Sequence, residues 1–193
     1  SETAWLTDRV LDHLHMHDGE PLFMHVSYLR PHPPFIAPPG YHDLYHPDDM
    51  PPPVRAATPA QEAAQHPFLA AALERTPQRA FFNHGDGPAA ALSEPAARQF
   101  RATYYGLISE VDHHIGRIVA ALRAAGIYDD TLIVLTSDHG EQLGDHYLFG
   151  KLGYFEQSFH IPLIVKPAGT GGKRGQCIDA FTESIDVMPT VLR

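Results

Sequence analysis

Residues 95–125 place Tyr104, Tyr105, Ile108, Val111, Ile115, Ile118, Val119 and Leu122 along one stripe of a helix, with Gly126 as its terminator. After the Asp129-Asp130 turn, Leu132, Ile133, Val134 and Leu135 make an unbroken apolar run within 131–136. A strand with no polar alternation is the kind that is buried on both faces of a sheet. A second such run lies at 161–165. Upstream, Trp5, Leu6, Val10, Leu11 and Leu14 fall at helical spacing within 4–16, and His17-Asp18-Gly19-Glu20-Pro21 stops the pattern. The run 22–28, with Phe23, Val26 and Tyr28, then reads as a strand that ends at the prolines of Arg30-Pro31-His32-Pro33-Pro34. Helices alternating with continuous apolar strands predict an α/β fold with a mostly parallel sheet covered by helices on both faces.

Between about 35 and 95 the sequence is rich in Pro, Ala and His and loses periodicity, except around 62–73, where a short helix is predicted. A stretch this long without regular structure reads as an excursion outside the core, serving as a cover beside the site or as the contact of a homo-oligomer. The 193 residues fit one domain, or a large piece of one, and 44% apolar with 19% charged residues is ordinary for a folded chain. A net charge of −9, with only 14 Lys and Arg, argues against nucleic acid as a partner. The single cysteine, Cys177, excludes an internal disulfide and has no adjacent histidine to activate it. The apolar runs fall short of the roughly 20 residues that span a bilayer, so no membrane partner and a cytoplasmic location are expected, or a periplasmic one if a leader precedes Ser1.

Ligands of parallel α/β sheets gather at the carboxyl ends of strands, and Ser137-Asp138-His139-Gly140-Glu141 stands there, directly after 131–136. A carboxylate and an imidazole at a sheet edge, before a glycine that lets the chain turn, form a metal-ligand pair in a suitable place. In isolation the pair would read as a turn with a capping Asp and a solvated His. The sequence that follows decides between these readings.

That sequence runs Glu141-Gln142-Leu143-Gly144-Asp145-His146-Tyr147-Leu148-Phe149-Gly150-Lys151, then Tyr154-Phe155-Glu156-Gln157-Ser158-Phe159-His160-Ile161-Pro162-Leu163-Ile164-Val165. From Thr136 to Val165 the chain resembles the carboxyl-side signature of type I sulfatases, of the alkaline phosphatase superfamily, and within them the phosphonate monoester hydrolase and arylsulfatase group. Pro31-His32-Pro33-Pro34-Phe35, the helix with Tyr104-Tyr105, Asp112 and Gly116, and the Pro-rich stretch from Met50 to Leu73 agree with that resemblance.

The resemblance implies part of an alkaline phosphatase-like fold and hydrolysis of sulfate esters, phosphonate monoesters or phosphodiesters. It implies that Asp138 and His139 hold a divalent metal ion (Ca, Mn, Mg or Zn), that Lys151 contacts charged oxygens of a small anionic ester substrate, and that His32 stands near the leaving-group oxygen. A cation, an ammonium and an imidazole are the groups that stabilise charge growing on equatorial oxygens and on a departing alkoxide. Asp145 and His146 read as structural members of the loop.

The chain departs from the family in lacking the Cys/Ser-x-Pro-x-Arg motif that yields a formylglycine nucleophile. Cys177 precedes Ile178-Asp179-Ala180-Phe181, and Ser93-Glu94-Pro95-Ala96-Ala97 carries its arginine one position late, at Arg98. His160 stands where relatives often carry arginine. Residues 1–193 are therefore expected to be the carboxyl-side portion of a catalytic domain, without the amino-terminal nucleophile segment and the carboxyl-terminal subdomain, and inactive when isolated. The rival readings are a phosphoryl-group transferase of the same superfamily and a non-enzymatic, His-rich metal-binding module.

Overall fold

The computed structural model describes residues 1–169 and 175–192. Helix α1 spans Glu2–His15, and the Ser1 hydroxyl caps it by accepting the Ala4 amide at 3.1 Å. The short helices α2 (Pro59–Ala63) and α3 (Pro67–Arg75) precede the spine of the molecule, α4 (Glu94–Ala124). At 31 residues, α4 is about 46 Å long. Ser93 caps its start and Gly126, at φ +73°, ends it in the left-handed conformation that glycine adopts without strain.

Strand β1 (Ile133–Thr136) pairs with β2 (Leu163–Lys166), and the pairing is antiparallel, with Ile133 opposite Lys166 and Thr136 opposite Leu163. Among the described residues this is the only ladder, so the mostly parallel sheet expected from the sequence is not what these strands form. A parallel neighbour needs a crossover that carries the chain back to the starting edge. Residues 137–162 contain only a 3-10 turn at Asp145–Tyr147 and the one-turn helix α5 (Glu156–Phe159), and they return the chain beside β1 in the opposite direction. The 22–28 run, expected to be a strand, forms no strand and belongs to no ladder. Its Met24 and Val26 pack with Val10, Leu14, Leu122 and Ile133, while Phe23 is exposed. Leu163, Ile164 and Val165 of β2 are exposed as well, unlike the doubly buried strand that their composition predicts.

The stretch 35–95 is no peripheral excursion. Phe35, Phe81 and Ala89 are buried with Ala97, Leu107 and Phe149 in one core cluster, and Leu69, Ala72 and Leu73 are buried with Leu148 in another. The rings of Phe81 and Phe149 lie 5.6 Å apart and those of Phe100 and Phe149 5.7 Å apart, near enough for edge and tilted packing. Burying each such side chain stabilises the fold by roughly 1.5–3 kcal/mol. The single helix predicted near 62–73 is two, because Pro67 starts a new helix whose first turn is capped by His66 Nδ1 accepting the Phe68 amide. Gly106 lets this segment close on α4, since a β-carbon there would sit 2.1 Å from the Tyr41 carbonyl oxygen.

The buried face of α4 is more polar than its apolar stripe implies: Arg101, Glu110 and His114 are buried and Ile108 is exposed. Arg101 is matched rather than stranded. Its guanidinium donates to the Leu143 and Pro51 carbonyls at 2.9 Å each and pairs with Asp145. Burial pushes the His114 imidazole below its ordinary pKa, helped by the neighbouring charges of Arg117 and His113.

Candidate active site

β1 delivers the chain to Ser137, whose hydroxyl donates to the His139 carbonyl at 2.7 Å and folds Asp138 and His139 into one turn. The Asp138 carboxylate accepts the His139 amide at 3.0 Å. Gly140 is required here by crowding and not by a positive φ. A β-carbon at 140 would lie 2.0 Å from the Gln157 carbonyl oxygen, and the Gly140 amide donates to the Ser158 carbonyl at 2.8 Å. The turn is thus pressed against α5.

His139 Nδ1 lies 2.8 Å from the Gly140 carbonyl oxygen. A carbonyl only accepts, so this contact assigns the proton to Nδ1 and leaves Nε2 with its lone pair. That lone pair faces Asp138 Oδ2 at 3.6 Å and Lys151 Nζ at 2.6 Å. A carboxylate oxygen and an imidazole nitrogen at that separation both reach a single divalent cation at bond lengths of about 2.0–2.5 Å, so the pair fits a metal ion as two of its ligands. Among the described residues no group of three or more His, Cys, Asp and Glu is placed to hold a metal, so with an ion the pair would be a partial ligand set. Asp138, His139 and Lys151 line a cavity of about 840 Å³ with Phe159, Phe181 and Glu183.

The tripeptide Pro31-His32-Pro33 is held from both sides. Arg30 donates to the His32 carbonyl at 2.9 Å and to the Pro34 carbonyl at 2.6 Å, and Phe35 is buried, with its amide on the Phe81 carbonyl at 2.8 Å. His32 Nδ1 is 2.9 Å from the Pro33 carbonyl, which leaves Nε2 free of that contact. The His32 and His139 rings meet edge to face with centroids 6.0 Å apart. The four side chains singled out in the sequence therefore come together, although they sit beside an antiparallel strand pair.

The sequence reading passed over Glu141 and Gln142. A Glu141 oxygen accepts the Gly150 amide at 2.6 Å and the Leu143 amide at 3.2 Å. Burial pushes its carboxyl above the ordinary range, against the opposing pull of those two amides and of the neighbouring His139 and His32 rings. Gln142 is buried and donates to the Leu152 carbonyl at 3.1 Å and to the Ser158 hydroxyl at 2.7 Å. Their position, separated by one residue from the Asp138-His139 pair, was the only available signal.

Asp145 and His146 act within the loop. Asp145 pairs with Arg101 and accepts the Val54 amide and the Gln157 side-chain amide, each at 2.8 Å. His146 stacks on Phe155 at 3.7 Å, and its Nδ1 lies 2.9 Å from the buried Glu62 carboxylate.

The Sulfatase family model matches residues 2–193. This chain belongs to the Sulfatase family. It is 50% identical over 192 residues to the multifunctional alkaline phosphatase superfamily protein PehA of Trinickia caryophylli, covering 100% of this chain and 37% of that protein. It is 31% identical over 193 residues to an arylsulfatase of Clostridium perfringens, covering 98% of this chain and 37% of the relative. Among solved structures, the phosphonate monoester hydrolase of Silicibacter pomeroyi superposes with a TM-score of 0.91 at 42% identity, covering 100% of this chain and 37% of that one. That of Agrobacterium radiobacter gives 0.83 at 44% identity, over 86% and 33%. The sulfatase resemblance read from the Thr136 to Val165 segment is borne out, as is its placement with the phosphonate monoester hydrolases and arylsulfatases. The chain spans a little over a third of the length of these sulfatase-family relatives.

Proposed function

We propose that this chain supplies part of the metal and substrate site of a hydrolase acting on sulfate esters, phosphonate monoesters or phosphodiesters. The observation that carries the reading is the convergence of Asp138 Oδ2 and Lys151 Nζ on His139 Nε2, beside His32, in a chain that matches the Sulfatase family along its length. The relatives' names, an alkaline phosphatase superfamily protein, an arylsulfatase and phosphonate monoester hydrolases, support small anionic esters of sulfur or phosphorus as the substrate class.

Asp138 and His139 would hold a divalent cation (Ca, Mn, Mg or Zn), which when bound neutralises charge on the ester oxygens. The other roles belong to the chain's own groups. The Lys151 ammonium presents fixed positive charge to the equatorial oxygens, where negative charge grows in the transition state. His32, with Nδ1–H committed to the Pro33 carbonyl, would have to act as an imidazolium, protonated on both ring nitrogens, for its Nε2–H to deliver a proton to the leaving oxygen. The roles assigned here include no nucleophile.

The alternative of a metal-sequestering module loses support from the scatter of the histidines, since among the described residues no three or more ligand-type side chains gather around one point. Among the described residues no helix is long and apolar enough to cross a membrane. The test is an assay of the full-length enzyme containing this chain against an aryl sulfate, an aryl phosphonate monoester and an aryl phosphodiester, with and without a chelator. Hydrolysis of at least one ester, lost on chelation, is expected; inertness toward all three overturns the reading.

A further inference from the structure

We infer that Glu141 and Gln142 are positioning residues that fix the Lys151 ammonium on the His139 side of the site. The inference rests on the proposed hydrolytic role of Lys151. It names the residues that set where its charge is held.

The two residues flanking Lys151, Gly150 and Leu152, are both tied to this dipeptide through their backbones. The Gly150 amide donates to the Glu141 carboxylate at 2.6 Å, and the Gly150 carbonyl accepts the Gln142 amide at 2.9 Å. On the far side of the lysine, the Leu152 carbonyl accepts the Gln142 side-chain amide at 3.1 Å. Gly150 takes φ +79°, so the chain turns sharply into Lys151 at the point where Glu141 grips it. The lysine side chain itself is exposed and flexible and reaches His139 Nε2 at 2.6 Å, so of its two ends only the backbone is fixed by packing and hydrogen bonds, and it sets where the ammonium spends its time.

The body of the loop is held by other contacts. Asp145 is fastened to Arg101, Val54 and Gln157, and Leu148 and Phe149 are buried in the core. Glu141 acts at the exit of the loop, where Lys151 begins. Because residues 138–142 are consecutive, the segment that presents the ligand pair also sets the distance from that pair to the ammonium. Groups that support catalytic residues in this way typically contribute about 10- to 100-fold to activity.

The experiment is a double-mutant cycle in the full-length enzyme containing this chain. Glu141→Leu is expected to lower kcat about 10- to 100-fold, with a much smaller change in KM, when Lys151 is present. The same substitution made in Lys151→Ala enzyme is expected to change kcat by less than about threefold, because the group it positions is already gone. Glu141→Gln, whose side-chain carbonyl still accepts the Gly150 amide, is expected to keep activity within a few-fold of wild type. If Glu141→Leu does not accumulate as folded protein, Glu141→Asp, one methylene too short to reach Gly150, takes its place with the same expected non-additivity. A full additional loss in the Lys151→Ala background, or undiminished kcat in Glu141→Leu, overturns the positioning role alone. Undiminished turnover in Lys151→Ala overturns the hydrolytic role of Lys151 and the positioning role with it.

Discussion

Lys151 Nζ stands 2.6 Å from Nε2 of His139, on the lone pair that the Nδ1 contact to the Gly140 carbonyl leaves open. The lysine thus occupies the nitrogen proposed to bind a metal and would give up that contact when the ion takes the lone pair; the Asp138 carboxylate is 3.6 Å from the same atom. Ligand pair and ammonium form one unit, and substitutions within it should affect turnover more than folding.

Replacing Lys151 by Ala in the full-length enzyme should lower kcat/KM by roughly 10² to 10³, the usual loss for one preorganised donor to developing charge. Stability should change by no more than about 0.5 kcal/mol, since the side chain is exposed. Steady-state kinetics and thermal melts of the same variant check both. A matched fall in stability and activity would reassign the lysine to the scaffold.

Arg101 and Asp145 are almost fully buried, with side-chain exposures of 8% and 11%. Arg101→Ala should destabilise the fold by about 3–5 kcal/mol, because the Asp145 carboxylate is left buried without its cation. Arg9→Ala, which removes a pair at 56% and 55% exposure, should cost at most about 1 kcal/mol. Urea titration of the two variants should separate them clearly, and equal costs would mean that the buried pair is not a structural tie.

Gly140→Ala should destabilise the protein by about 1–3 kcal/mol and displace the ligand pair, since the added carbon meets the Gln157 carbonyl at 2.0 Å. Thermal melting and activity of the variant test this. An unchanged melting temperature would show that the turn and α5 are not pressed together.

Glu62 is buried, which alone would raise its pKa, but the Ala56 amide, the hydrogen bond and charge of His146 and the Gln65 amide together hold it below the ordinary 4.5. The unfolded chain therefore takes up the proton first. Its contribution to stability is complete above about pH 4.5 and is lost as pH falls through the lower folded value. The stability gap between wild type and Glu62→Gln, measured by denaturation from neutral pH downward, should narrow on the acid side of 4.5. A gap that stays constant would contradict the assignment.

Much of this molecule was legible in its sequence where the signal is local. The helix read from 95–125 is Glu94–Ala124, with Gly126 ending it, because cap, periodicity and terminator all act within a few residues of one another. The Asp138-His139 turn was legible for the same reason, following an apolar run that does become β1. Partner choice between strands is not local, and 131–136 with 161–165 have the composition of parallel strands yet pair antiparallel. The core contribution of 35–95 was hidden because Phe35, Phe81 and Ala89 are separated by prolines and turns and share no period with the helical pair Leu69 and Leu73. Glu141 and Gln142 were illegible as supports, since their partners Gly150 and Leu152 are backbone groups that leave no mark in residue type.

The central claim is that Asp138 and His139 are two ligands of one catalytic cation, and metal content tests it most directly. Full-length enzyme purified with Asp138→Ala and His139→Ala together should have lost the divalent ion that the wild type carries, as counted by mass spectrometry of the metals, and its hydrolysis of aryl esters should fall with it. A doubly substituted enzyme that keeps the wild-type metal stoichiometry and its turnover would contradict the account.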